Sequence, residues 1–153
     1  MHISETRHSR RNRAVRAGFT LVEVLLVLAI IGVIMAIAVP MLLGQQREAM
    51  VKATKVAIGS LEGALKLYAQ NHDGEYPNSN QGLEVLLVSP GNDPNWHGPY
   101  LDSHGKLPPD AWGRPLQYQY PGTNNPGQPD IWSYGADGQP NTDDDINNWT
   151  TTK

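Results

Sequence analysis

Residues 19–43 read FTLVEVLLVLAIIGVIMAIAVPMLL, and from Val24 to Val39 every position is apolar or glycine. With Phe19, Leu21, Val22, Met41, Leu42 and Leu43 the stretch reaches the roughly 20 residues that cross a bilayer. Lipid offers no partner to backbone N–H and C=O groups, so a segment of this composition must be a helix. A secretory signal would have a shorter apolar core followed by a small-x-small site. Here the apolar run passes through Pro40-Met41-Leu42-Leu43 into a helical pattern without such a site, which argues against a cleaved signal of that kind.

Outward toward the N-terminus, residues 1–18 carry Arg7, Arg10, Arg11, Arg13 and Arg16 against Glu5, a local charge of +4. The rest of the chain carries −7, and the whole −3. The arginine-rich flank is expected to stay cytoplasmic, which places the C-terminal part outside. A body this acidic has no electrostatic footprint for nucleic acid. The chain holds no cysteine, which excludes disulfides and Cys-ligated metals.

Glu23 is the anomaly of the apolar segment. A carboxylate there costs a few kcal/mol and is functional by default. Two readings stay open on physics alone. Glu23 either reaches back to the headgroups or pairs with a cation in apolar surroundings. A free α-amino group on Phe19, created by a cut after Gly18, would supply that cation within one subunit or from a neighbour.

The run Arg16-Ala17-Gly18-Phe19-Thr20-Leu21-Val22-Glu23 resembles the processing motif of type IV pilins and pseudopilins. The resemblance implies cleavage after Gly18 by a prepilin peptidase, N-methylation of Phe19, and a role for Glu23 in assembly. Ala17 departs slightly from the motif, since a Lys, Arg or Gln often stands before the Gly.

Beyond Gly44, Met50, Ala53, Ala57, Leu61, Ala64 and Tyr68 recur at spacings of three and four, which predicts a helix with one apolar stripe. Asn71-His72-Asp73-Gly74 reads as its stop. A nearly continuous helix over residues 21–71 would measure about 75 Å, with a kink or a melted turn at Pro40. Beyond residue 73 the chain changes character, holding ten of the 15 Gly, 11 of the 12 Pro and all four Trp. Gln81 to Val88 is predicted as one short helix. Strands are predicted at Gly98 to Leu101, Pro115 to Tyr120 and Asp130 to Tyr134.

Between Gly135 and Ile146 lie Asp137, Asp143, Asp144 and Asp145 without a basic residue. Such crowded carboxylates suit a hard cation such as Ca²⁺, although a solvated acidic turn reads equally well. The spacing is not that of an EF-hand. His72, His97 and His104 have no zinc-site spacing, and no nucleophile, Walker loop or dinucleotide fingerprint is present, so no enzyme is expected. Trp96, Trp112, Trp132 and Trp149 could line a sugar-binding face, but packing residues are the better reading in so small a core.

Gly74-Glu75-Tyr76-Pro77, Asn80-Gln81-Gly82-Leu83, Gly98-Pro99-Tyr100-Leu101 and Asp110-Ala111-Trp112-Gly113-Arg114-Pro115 carry a narrower resemblance, together with Trp132 to Gly138 leading into Asp145-Ile146 and Trp149. They resemble the major pseudopilins of type II secretion systems. The resemblance implies an α+β, type IV pilin-like fold, with a long N-terminal helix packed on a small antiparallel sheet and a calcium-binding loop. It implies a cleaved leader at 1–18, a transmembrane and assembly helix at 19–43, and a periplasmic body at 44–153. In that body the helix continues over 44–72, and a short helix and the sheet occupy 74–153.

The calcium ligands implied by position are Asp137, Asp143, Asp145 and the carbonyl of Tyr134. The implied partners are further copies in a periplasmic pseudopilus, minor pseudopilins, the inner-membrane assembly platform, the prepilin peptidase and membrane lipid. A minor pseudopilin, a type IV pilin, or a membrane-anchored calcium-dependent binding module are the alternatives.

Overall fold

The computed structural model describes residues 18–102 and 104–149. The leader expected at 1–18 therefore lies, apart from Gly18, outside the described residues. One helix, α1, runs from Leu21 to Asn71 without interruption through Pro40. The chain divides into two compact units at Leu42/Leu43.

In the first unit every large apolar side chain of α1 is exposed, from 78% at Leu21 down to 45% at Ile31 and Val39. Helix entry is capped by Thr20, whose Oγ1 accepts the backbone N–H of Glu23 at 3.2 Å. Thr20-Leu21-Val22-Glu23 is thus the T-x-x-E signature of an N-cap, and Glu23 sits in the first turn, where the helix dipole favours negative charge.

In the second unit, α1 buries Thr54, Ile58, Leu61, Ala64, Leu65, Tyr68 and Ala69. The later half of the expected stripe is the buried one, whereas Met50 and Ala53 are exposed and Ala57 only half-buried. Burial there turns to Thr54 and Ile58. The Thr54 hydroxyl can be buried because it donates to the Met50 carbonyl at 3.0 Å and accepts the N–H of Ala111 at 3.1 Å. The helix ends with Gly74 N–H donating to the Ala69 carbonyl at 2.8 Å across Asp73, which holds φ 56°. Asp73 therefore takes the left-handed position, with Gly74 after it, and the six-to-one bond is that of a Schellman ending.

The short helix expected over Gln81 to Val88 is a single 3₁₀ turn, Glu84–Leu86. Pro90 disfavours helical geometry at Ser89 and stops propagation. The strand expected at Gly98 to Leu101 does not form. Tyr100 N–H donates instead to the Leu86 carbonyl at 2.8 Å, which lays the segment against the 3₁₀ turn.

The sheet has three antiparallel strands in the order β1 (Gln117–Gln119), β2 (Asp130–Ser133), β3 (Ile146–Asn147). Tyr118 pairs with Ile131 and Ser133 with Ile146, and these face the core. Gln117, Trp132 and Asn147 lie abreast on the outer face. Leu61, Leu65, Leu86, Leu116, Ile131 and Ile146 belong to one cluster, in which α1 supplies one layer and the sheet the other. Tyr118 closes the edge by donating to the Pro77 carbonyl at 2.6 Å, and burial pushes its phenol well above the ordinary tyrosine range.

Candidate functional site

Two regions hold the residues that carry chemistry, one in each unit. In the first, Phe19 and Glu23 stand one helical turn apart and line an apolar groove with Val24, Val27 and Leu28. Phe19 is 84% exposed, and Glu23 is the one acidic side chain of that groove. Gly18 immediately precedes them and is exposed. The three residues marked in the sequence for processing and assembly, Gly18, Phe19 and Glu23, therefore all lie exposed at the start of α1. The capping bond adds a local role for Glu23 that its T-x-x-E spacing encodes.

The second region is the acidic loop joining β2 to β3. Its organiser is Asp144. Oδ2 accepts the backbone N–H of Ala136 at 2.6 Å and of Asp137 at 3.1 Å, while Oδ1 accepts the Thr142 hydroxyl at 2.8 Å. The Thr142 hydroxyl, and then the Asp137 N–H, hold the Asp144 carboxyl below the usual carboxylate range. Asp145 Oδ2 accepts Asn141 N–H at 2.8 Å, and Asp137 Oδ1 accepts Gln139 N–H at 2.8 Å. The Tyr134 carbonyl accepts the N–H of Gly138 at 3.1 Å. Gly135 holds φ +60°, and a side chain there would run into the Asp144 carbonyl, so only glycine fits this crossing.

The loop is also anchored from below by residues that spacing alone did not mark as functional. Asp110 is 4% exposed and accepts Trp112 N–H at 3.0 Å, Arg114 N–H at 2.8 Å and the Ser133 hydroxyl at 2.7 Å. Burial opposes its ionisation. The Arg114 N–H, the Ser133 hydroxyl, the Trp112 N–H and the Arg114 charge outweigh that, and its carboxyl lies below the ordinary range. Arg114 pairs with Asp110 at 3.3 Å and donates to the Gly135 carbonyl. A basic group thus serves a loop that contains none, delivered from outside the loop's sequence. Asp110 donor spacing at i+2 and i+4 is the signal of an Asx turn.

Arg47 and Lys55 of α1 also line a cleft with Asp143, Asp144 and Asp145. The oxygen donors here suit a hard cation, and Asp143 makes no side-chain hydrogen bond with a described residue. In this conformation, however, N–H and O–H donors hold Asp137, Asp144 and Asp145. Among the described residues no three acidic or imidazole groups converge on one point. Tyr134, Asp137, Asp143 and Asp145 are neighbours in one loop without forming a closed ligand set.

Comparison with known proteins agrees with this division. Residues 41–149 match the family described as type II secretion system, protein G, and residues 13–39 match the prokaryotic N-terminal methylation motif. The type II secretion system core protein G of Klebsiella michiganensis is 39% identical over 144 residues, covering 92% of this chain and 98% of that protein. The core protein G of Pseudomonas aeruginosa is likewise 39% identical over 144 residues, covering 90% and 97%. The crystal structure of the major pseudopilin from the type 2 secretion system of enterohaemorrhagic Escherichia coli superimposes with a TM-score of 0.60 at 34% identity. That match covers 73% of this chain and 92% of the crystallised one. A methylation motif leading an apolar helix and a protein G body on a three-stranded sheet occur here in one chain, which belongs to the type II secretion system protein G family, the major pseudopilins.

Proposed function

We propose that the chain is a structural subunit that polymerises through α1 into the periplasmic pseudopilus of a type II secretion system and so drives protein export across the outer membrane. The observation that carries the reading is the start of α1. Its large apolar side chains are exposed from Phe19 to Leu43, with Glu23 among them. An apolar surface of that extent is not stable in water and needs lipid or other subunits over it. Lipid covers it in the unassembled subunit, other copies in the filament. A carboxylate within it needs a cation when it is covered.

Removal of residues 1–18 by a prepilin peptidase would create that cation as the methylated amine of Phe19. Before cleavage the arginines of the leader hold the N-terminus in the cytoplasm, and the body from residue 44 onward stands in the periplasm. Minor pseudopilins and an inner-membrane assembly platform complete the set of partners. The match over residues 41–149 supports the major subunit over a minor pseudopilin, a type IV pilin or a separate binding module. The function is structural, and the family's role is not enzymatic.

Calcium at the acidic loop belongs to the same reading, with Asp137, Asp143, Asp145 and the Tyr134 carbonyl as its donors. The loop would have to exchange N–H donors for the ion.

The test combines processing with assembly. Protein extracted from membranes should have the intact mass of residues 19–153 plus one methyl group. Glu23→Ala should insert in the membrane as well as the parent yet yield few sedimentable filaments. Retention of residues 1–18, or normal filaments from Glu23→Ala, would overturn the pairing.

A further inference from the structure

On the outer face of the sheet is a concavity of about 300 Å³, floored by β2 and walled by the acidic loop and Trp149. None of its lining residues belongs to α1. Its volume is at the lower end of small-ligand sites. Trp132 and Trp149 meet there edge to face, with centroids 6.0 Å apart and planes at 64°. In such a pair the indole that offers its edge keeps both of its own faces unspent.

The polar groups around the indoles are unevenly committed. Asp130, 1% exposed, is consumed by the backbone N–H groups of Thr123, Asn124 and Asn125 at 2.8–2.9 Å. By contrast, the Tyr134 hydroxyl, the Asn141 side-chain amide and both indole N–H groups make no hydrogen bond with any described residue. The lining includes no Lys, Arg or His, and its two charged members are the carboxylates of Asp130 and Asp145. An anion would be repelled. What fits is an uncharged molecule that offers one apolar face to an indole and hydroxyl groups around its rim. A pyranose ring has that form, with axial C–H bonds on its faces and equatorial hydroxyls at its edge.

We propose that this concavity binds a neutral saccharide, with one indole face of the Trp132–Trp149 pair stacking on the ring, the other indole bracing it, and Tyr134 and Asn141 bonding the sugar hydroxyls. The site shares Asp145 with the acidic loop.

The experiment uses the full chain in nanodiscs of phosphatidylethanolamine and phosphatidylglycerol, since maltoside detergents would compete. Chitotetraose and cellotetraose are the neutral probes and tetragalacturonate the anionic one, each read by saturation transfer to the sugar ring protons in calcium-containing buffer. At least one neutral probe should bind saturably and tetragalacturonate should not. Trp149→Ala should abolish the transfer. Tyr134→Phe keeps the backbone carbonyl and the ring but deletes the hydroxyl, and should weaken binding roughly tenfold, the equivalent of one hydrogen bond, at an unchanged melting temperature. The proposal is overturned if neither neutral probe shows transfer, if tetragalacturonate binds equally well, or if binding survives Tyr134→Phe and Trp149→Ala undiminished.

Discussion

Asp110 shows how a single carboxylate can hold three segments together. It takes donors from its own turn, from Ser133 at the end of β2 and from Arg114, which in turn reaches the acidic loop at Gly135. Removing it leaves a buried hydroxyl, two N–H groups and a guanidinium without their acceptor. Asp110→Ala should therefore cost about 3 kcal/mol or more, since orphaned buried donors and an unpaired charge each carry a desolvation penalty. Asp110→Asn, which keeps the shape and one acceptor, should recover part of that.

The pH dependence follows from the same bonds. The folded-state value of Asp110 lies below its ordinary 3.8, so ionised Asp110 stabilises the fold above that value. That contribution is lost as pH falls through the depressed folded value. Asp93, lowered chiefly by the hydrogen bond from the His72 ring, and Asp144 act in the same sense. Melting temperature should be level between about pH 5 and 7 and fall below about pH 4. The fall should be shallower in Asp110→Asn, and a slope identical to that of the parent would remove Asp110 from this account.

Between elements, the contact that decides the phase of the buried helix face is Thr54 to Ala111. Thr54→Val preserves volume but strands the Ala111 N–H and should destabilise by about 1–3 kcal/mol, whereas Thr54→Ser should restore most of it. Equal loss in both variants would assign the effect to packing instead. Thr54 also marks the limit of what periodicity could read. An apolar stripe consists of apolar residues alone, so Leu61, Ala64 and Tyr68 were legible as core. A buried threonine was not, because its partner lies 57 residues away.

The same limit recurs elsewhere. Alternation over Pro115 to Tyr120 marks the segment that forms β1. Yet Gly98 to Leu101 alternates as well and forms no strand, since Tyr100 N–H bonds to the Leu86 carbonyl rather than to a ladder. β3 is only two residues long, too short for any period to register. The helix over the apolar segment was legible because a run of that composition has one backbone solution that satisfies its own N–H and C=O groups. In the acidic loop, residue type was legible, but the roles were not. Asp144 is the organiser and Arg114 the cation, both set by tertiary contact.

For the whole molecule the question is how a body without disulfides, built on a three-stranded sheet, stays folded. Small cores hold little stability in reserve and commonly recruit a ligand. The acidic loop is the place where one would act. Its carboxylates are neighbours, its donors are hard oxygens, and Arg114, Arg47 and Lys55 are the basic groups beside it.

A ligand that binds the folded state alone adds about 2.7 kcal/mol at 100 times its dissociation constant, from which the exchanged hydrogen bonds of Asp137 and Asp145 must be subtracted. We therefore expect Ca²⁺ to raise the melting temperature of the full chain in nanodiscs by several degrees over chelator. Mg²⁺ should do so poorly, because it demands near-octahedral geometry and keeps its waters. Asp137→Ala should melt near the chelated parent and ignore added calcium. Asp144→Asn discriminates further. If Asp144 organises the loop without the ion, this variant should lower stability in chelator as well as in calcium. Superimposable melting curves of the parent with calcium and with chelator would leave the loop as a turn held by its own N–H and O–H donors.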